Sequence, residues 1–148
     1  MAIKDTTRKP FIDDNDENIF IGIDLPFYKS NGVDGWFAST KTTIEAVKNN
    51  IKNLLQTHSG ERLMQPLLGL NLRQYLFEQV NEDTKFAIQQ SIVDKFRIWL
   101  PFVNIQDIEV IMNIDDTSLT KNTMNVKILF NIVQDPSTLE SVQVEIGE

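Results

Sequence analysis

Residues 60–77 read G-E-R-L-M-Q-P-L-L-G-L-N-L-R-Q-Y-L-F, and the path of the chain turns on them. Ser59-Gly60 is a turn signal, and the charged pair Glu61-Arg62 follows it. Leu63-Met64 is a short apolar run. Pro66 and Gly69 then punctuate the chain, and an amphipathic helix opens at Asn71. Gly and Pro this close together fix a backbone path instead of leaving a floppy loop. Helical patterns lie on both sides, so the stretch predicts a rigid connector around which two helices are arranged.

Upstream, Thr42 and Glu45 have the spacing of a capping box. Ile44, Val47, Ile51, Leu54 and Leu55 then recur at helical spacing, with Lys48, Asn49, Lys52 and Asn53 opposite. This helix is expected to end near Thr57, where an imidazolium at His58 would suit its last carbonyls. Downstream, Leu72, Tyr75, Leu76 and Gln79 mark a short helix. Asn81 or Asp83 caps a longer one carrying Phe86, Ile88, Ile92, Val93, Phe96 and Trp99, which Pro101 stops. Ile105 to Met112, Val126 to Val133 and Leu139 to Ile146 read as strands, with Val142, Val144 and Ile146 facing in. Asp115 to Asn125 reads as a hairpin loop and Asp135-Pro136-Ser137 as a turn. The expected fold class is α+β: a helical N-terminal half with three helices, then a three-stranded antiparallel C-terminal sheet. The last strand is expected at an edge, where its backbone is open to another chain.

The remaining N-terminal residues divide in two. Residues 1–18 carry the acidic cluster Asp13-Asp14-Asn15-Asp16-Glu17 and read as a flexible arm, either a solvated tail or a segment that orders on a neighbour. Residues 19–148 read as a single domain. Ile19 to Phe27 is a docked strand or extended segment, Asn31 to Gly35 a turn or loop, and Trp36 and Phe37 are expected to plug the core. At 148 residues, a domain buries about 68–70% of its unfolded surface, enough for a real core.

Composition excludes several functions. A net charge of −7 disfavours nucleic acid, which selects basic patches, and anionic membrane surfaces. The chain has no cysteine, hence no disulfide, thiol nucleophile or thiolate metal site. The N-terminus lacks an apolar signal core, and no run reaches the roughly 18 apolar residues of a spanning helix. Cytoplasmic synthesis and assembly are the expectation. With one histidine, no EF-hand spacing and no phosphate or dinucleotide fingerprint, we expect no metal, no cofactor and no catalytic residues. Glycoside hydrolysis is the enzyme alternative, since it needs two carboxylates across a cleft and Glu61, Glu78, Glu82 and Asp83 supply candidates. Arg62 beside Glu61 favours the ionised carboxylate, the opposite of a general acid.

The segment Thr57 to Glu78 resembles the signature of small baseplate wedge subunits of contractile tails, a family of T-even-like phages with a counterpart in type VI secretion baseplates. The matching positions are Thr57, Gly60, Glu61, Arg62, Met64, Pro66, Gly69, Leu72, Leu76, Phe77 and Glu78. So many unlike residue types in one order are specific. The likeness runs from about Ile21 to the C-terminus. It departs in two places. Leu67 and Leu68 stand where the family has an acidic and an aromatic residue. Leu100-Pro101-Phe102 stands where it has an acidic residue, proline and arginine.

The resemblance implies a structural role in the virion tail: connecting the wedge core to the sheath and initiating sheath assembly, with six copies per baseplate. Its partners would be other wedge proteins and the sheath protein, with tail tube or hub proteins as further neighbours. Members have carried a lysozyme label, so a tail lysozyme and the type VI subunit are the alternatives. On this reading Gly60, Pro66 and Gly69, with Leu72 and Phe77, do structural work, and Glu61 and Arg62 have mixed roles. Trp99, Leu100, Pro101 and Phe102 are candidate partner contacts, with core packing as the alternative. Val142, Gln143, Val144 and Glu145 are candidates for pairing with a sheath strand.

Overall fold

The computed structural model describes residues 20–29, 36–78, 81–113 and 123–147, with Asn113 and Thr138 described by their backbone alone. The N-terminal arm over 1–18, the turn at 31–35, Gln79 and most of the loop expected over 115–125 lie outside the described residues. The elements in order are β1 (Gly22–Ile23), β2 (Ser39–Thr40), α1 (Thr43–Gln56), a 3₁₀ helix (Leu72–Phe77), α2 (Glu82–Trp99), β3 (Val103–Asn113), β4 (Thr123–Ile132) and β5 (Asp135–Gly147). β1 and β2 form an antiparallel pair, and β3, β4 and β5 form an antiparallel sheet in that order.

The expected plan of three helices and then one sheet is corrected on two counts. First, the N-terminal half opens with a sheet of its own. Its strands are two residues long, too short for alternation to show in sequence. It is held by Ile21 N–H to the Thr40 carbonyl and Asp24 N–H to the Ala38 carbonyl, each 2.9 Å. Second, only two α-helices form. The segment after Gly69 is a 3₁₀ helix of six residues whose cap, Asn71, makes no side-chain capping bond. Without a cap and with so few residues, the tighter i→i+3 pattern wins, as in Gln74 N–H to the Asn71 carbonyl at 3.2 Å.

The caps of the true helices follow the sequence. Thr42 Oγ1 accepts from Glu45 N–H at 3.3 Å, and Asn81 Oδ1 accepts from Thr84 N–H at 2.7 Å. α1 buries Val47, Ile51, Leu54 and Leu55, and α2 buries Ile88, Ile92 and Phe96. These stripes pack with Met124, Val126, Ile128, Phe130, Val142, Val144 and Ile146 from one face of the larger sheet. α1 lies against β5 and α2 against β3. Lys48 of α1 bonds Glu140 of β5 at 2.8 Å. The expected strand limits shift outward: β5 starts at Asp135, where a turn was predicted, because Asp135 pairs with Ile132 across a bulge.

Two other expectations fail. Trp36 and Phe37 are 78% and 56% exposed and do not plug the core. Phe86, expected in the core, is 67% exposed. α2 buries an i, i+4 row, Thr84, Ile88, Ile92 and Phe96, and Phe86 projects about 200° around the helix from Thr84.

Gly60 and Gly69 both have positive φ, +91° and +99°. At Gly60 an added Cβ meets nothing, whereas at Gly69 it would overlap the Thr57 carbonyl. We expect Gly60→Ala to cost about 1 kcal/mol, from the left-handed backbone alone, and Gly69→Ala at least ~2 kcal/mol more. Urea denaturation of the two variants checks the order.

Asn49, buried in α1, anchors the small sheet by donating to the Ile23 carbonyl at 3.3 Å and to Asp24 Oδ1 at 3.1 Å. Lys52 Nζ reaches the Leu25 carbonyl at 3.3 Å. The Asn49 amide, then the Tyr28 hydroxyl, hold the Asp24 carboxyl below its ordinary value of 3.8. A depressed carboxylate stabilises above the unfolded value, and that contribution is lost as pH falls through the folded one. On acidification, the small sheet should therefore loosen before the larger one. Hydrogen exchange at Asp24 and Ile21, followed downward from pH 3.8, checks this, and Asn49→Ala should weaken the dependence while the Tyr28 bond retains part of it.

Candidate partner-binding surfaces

The connector after α1 is a closed, bonded loop. Thr57 ends the helix, its N–H and Oγ1 both bonded to the Asn53 carbonyl at 3.0 and 2.6 Å. Thr57 thus fills the capping role expected of His58. The His58 N–H instead donates to Glu61 Oε2 at 3.0 Å. Gly60 N–H meets the Pro66 carbonyl at 2.7 Å and Leu70 N–H meets the Thr57 carbonyl at 2.9 Å. Ser59 N–H is taken by Asn71 Oδ1 at 3.1 Å. Arg62 reaches back to Asn53 Oδ1 at 2.8 Å, tying the loop to α1. Lys95 of α2 donates to the Leu67 carbonyl at 2.8 Å. Glu61 and Arg62 therefore both have local bonds.

The loop turns its apolar side chains outward. Leu63, Met64 and Leu67 are 95%, 93% and 73% exposed. Leu70, Leu72 and Leu76 are buried beneath them in sequence, while Phe77 is exposed. A loop this well bonded that presents three large apolar side chains has the character of a recognition surface.

The other predicted contacts are scattered. Leu100 is buried, Trp99 is partly buried, Pro101 is exposed, and Phe102 is 40% exposed. Leu100 packs into the core, so the four residues do not form one exposed patch. On β5, Val142 and Val144 are buried while Gln143 and Glu145 face out. Among the described residues β5 pairs with β4 alone.

The orientation of its free backbone follows from the ladder. Ile108 bonds side chains through both its N–H and its carbonyl, so these groups point away from β4. Ile108 lies opposite Ile128, and Ile128 opposite Val142. Backbone direction alternates along a strand. Ile128 and Val142 therefore bond each other, and Ser141, Gln143 and Glu145 turn their N–H and carbonyl groups to the outer edge.

Sequence reading missed the aromatic surface of the small sheet. Phe27, Tyr28, Trp36 and Phe37 are all more than half exposed. Phe27 and Phe37 meet edge to face at 5.9 Å, and the Lys29 ammonium stands 5.4 Å from the Trp36 ring. Their close spacing in sequence, on either side of residues 31–35, was the available signal. Among the described residues no three of His, Cys, Asp and Glu gather as a metal site.

Comparison with known proteins identifies the family and the fold. The family model described as baseplate wedge protein gp25 matches residues 41–137. Baseplate wedge protein gp25 of Enterobacteria phage T4 is 24% identical over 104 residues, covering 70% of this chain and 75% of that protein. In fold, the chain is similar to a component of the anti-feeding prophage baseplate, with a TM-score of 0.58 and 21% identity over 78% of this chain and 86% of the other. It is also similar to a Geobacter sulfurreducens protein described as a candidate tail lysozyme, with a TM-score of 0.57 and 18% identity over 72% and 91%. With the match spanning the connector, both helices and most of the larger sheet, the chain belongs to the baseplate wedge protein gp25 family, structural components of contractile-tail baseplates.

Proposed function

We propose that this chain connects the wedge core to the sheath and initiates sheath assembly by accepting a sheath strand along the outer edge of β5. The observation that carries the reading is that edge. It is 13 residues long, with its outward backbone at Ser141, Gln143 and Glu145 open and its inner side chains locked in the core. Main-chain pairing supplies affinity in strand addition, and alternate side chains supply specificity. The wedge-facing contact falls to the apolar loop Leu63, Met64 and Leu67. Six copies per baseplate suit the reading, as the anti-feeding prophage baseplate is six-fold symmetrised. Residues 19–148 act as one unit, assembled in the host cytoplasm and carried in a phage tail, or in the equivalent type VI baseplate.

The role is structural and not catalytic. Two of the four candidate carboxylates have local partners: Glu61 accepts from the His58 backbone, and Glu82 pairs with Lys85 at 2.9 Å. Likeness to the Geobacter protein is a likeness of fold, and function is argued from a site.

Deleting β5 would strip Val142, Val144 and Ile146 from the core, so a subtler change is needed. Gln143→Pro removes an outward N–H without breaking the ladder to β4. Baseplates built with this variant should retain the subunit and fail to nucleate sheath, read by electron microscopy of assembled particles. Normal sheath on such baseplates would refute strand pairing at β5.

Replacing Leu63, Met64 and Leu67 together by Ser should shift stability by no more than about 0.5 kcal/mol, as expected for exposed positions. The same variant should no longer copurify with baseplates. Unimpaired copurification would remove the loop from the wedge contact.

A further inference from the structure

The larger sheet has two edges, and they are not alike. On β3 the outward groups of Ile108 are both taken. Its N–H donates to Asp107 Oδ1 at 2.9 Å, and its carbonyl accepts from Gln89 Nε2 of α2 at 2.7 Å. Both edge strands carry an irregularity, β3 between Ile105 and Asp107 and β5 between Asp135 and Glu140, so the filled groups at Ile108 are what sets the two apart. Among the described residues, no side chain bonds the outward backbone of Ser141, Gln143 or Glu145 on β5. Two side chains from different elements converging on one residue reproduce the donor and acceptor that a neighbouring strand would bring. Bulges and filled backbone groups are means by which edge strands resist pairing.

We propose that Gln89 and Asp107 close the β3 edge to strand addition, so that strand pairing is confined to β5. An incoming strand at Ile108 must displace two formed hydrogen bonds to make two, and it gains nothing there. At β5 every bond it makes is new. The inference rests on the strand-pairing reading for its significance. Its test uses this protein alone, without sheath, so either idea can fail without the other.

The chain lacks cysteine, so Glu109→Cys and Gln143→Cys each give a unique labelling position, one per edge. The double variant Gln89→Met, Asp107→Ala removes the donor and the acceptor while Met keeps the bulk of Gln. Sedimentation equilibrium should show self-association about tenfold tighter than in the parent. Spin labels should report close approach involving the Glu109→Cys position. Asp107→Asn, which retains an Oδ1 acceptor, should behave as the parent. A folded double variant that associates no more tightly, or one that pairs only through the Gln143→Cys label, overturns the proposal. Should the double variant not fold, the parent decides. Its Ile108 amide must exchange at least about tenfold more slowly than that of Val110, which has the same outward direction. Equal rates overturn the proposal.

Discussion

The carbonyl of Thr57 is the point on which the path of the chain depends. It accepts the Leu70 N–H at 2.9 Å, bringing residues thirteen apart into contact. The approach is possible only because Gly69 has no Cβ to strike that carbonyl. Closing the loop there delivers Leu70, Leu72 and Leu76 to the core in sequence, and forces Leu63, Met64 and Leu67 to the outside. One backbone contact thus creates both a piece of the core and a piece of the exposed apolar surface. A side chain at Gly69 would disturb the two together, so Gly69 is tied to the fold more tightly than Gly60.

Sequence made the regular parts of this architecture legible because they are periodic. The stripes of α1 and α2, the caps at Thr42 and Asn81, and the inward set Val142, Val144 and Ile146 all repeat at the spacing of their element. What escaped was not periodic. β1 falls within a stretch read as a docked strand or extended segment, but β2 and the pairing of the two were not read: each strand is two residues long, and the Asn49 side chain on another element helps to hold them. Trp36 and Phe37 looked like core because hydrophobicity says that a residue prefers burial, not that a neighbour exists to bury it. Phe86 failed for a different reason: α2 buries a narrow row, and a pattern broad enough to include Phe86 was too generous. The connector was recognisable from its residues, but its outward-facing leucines were not. Their exposure follows from a hydrogen-bonded path, which composition does not encode.

The larger sheet shows how one structure can be closed on one side and open on the other. Both edges are long, both have buried side chains beneath them, and neither is covered by a described strand. They differ in polar satisfaction. Ile108 spends its outward groups on Gln89 and Asp107, while the corresponding groups on β5 are left for solvent or a partner. An open edge on a 13-residue strand is an aggregation hazard in a free subunit. Restricting it to one side limits the assemblies that can form, since two open edges permit endless head-to-tail stacking and one edge permits only a single addition.

The loop and the sheet are mechanically connected. Arg62 ties the loop to Asn53 of α1, and Lys95 of α2 ties it through the Leu67 carbonyl. α1 in turn supports β5, with Lys48 bonded to Glu140, and α2 supports β3 with Gln89 on Ile108. A partner gripping Leu63, Met64 and Leu67 would therefore load both helices at once and not a free-swinging loop. The helices pack on the sheet through fully buried side chains, Ile51, Ile88, Ile92, Ile128 and Phe130, and close-packed interiors transmit displacement instead of absorbing it. The orientation of the β5 edge is then set by whatever holds the connector. On the strand-pairing proposal, presenting β5 at a fixed angle calls for such stiffness, and the paired ties from one loop to two helices supply it.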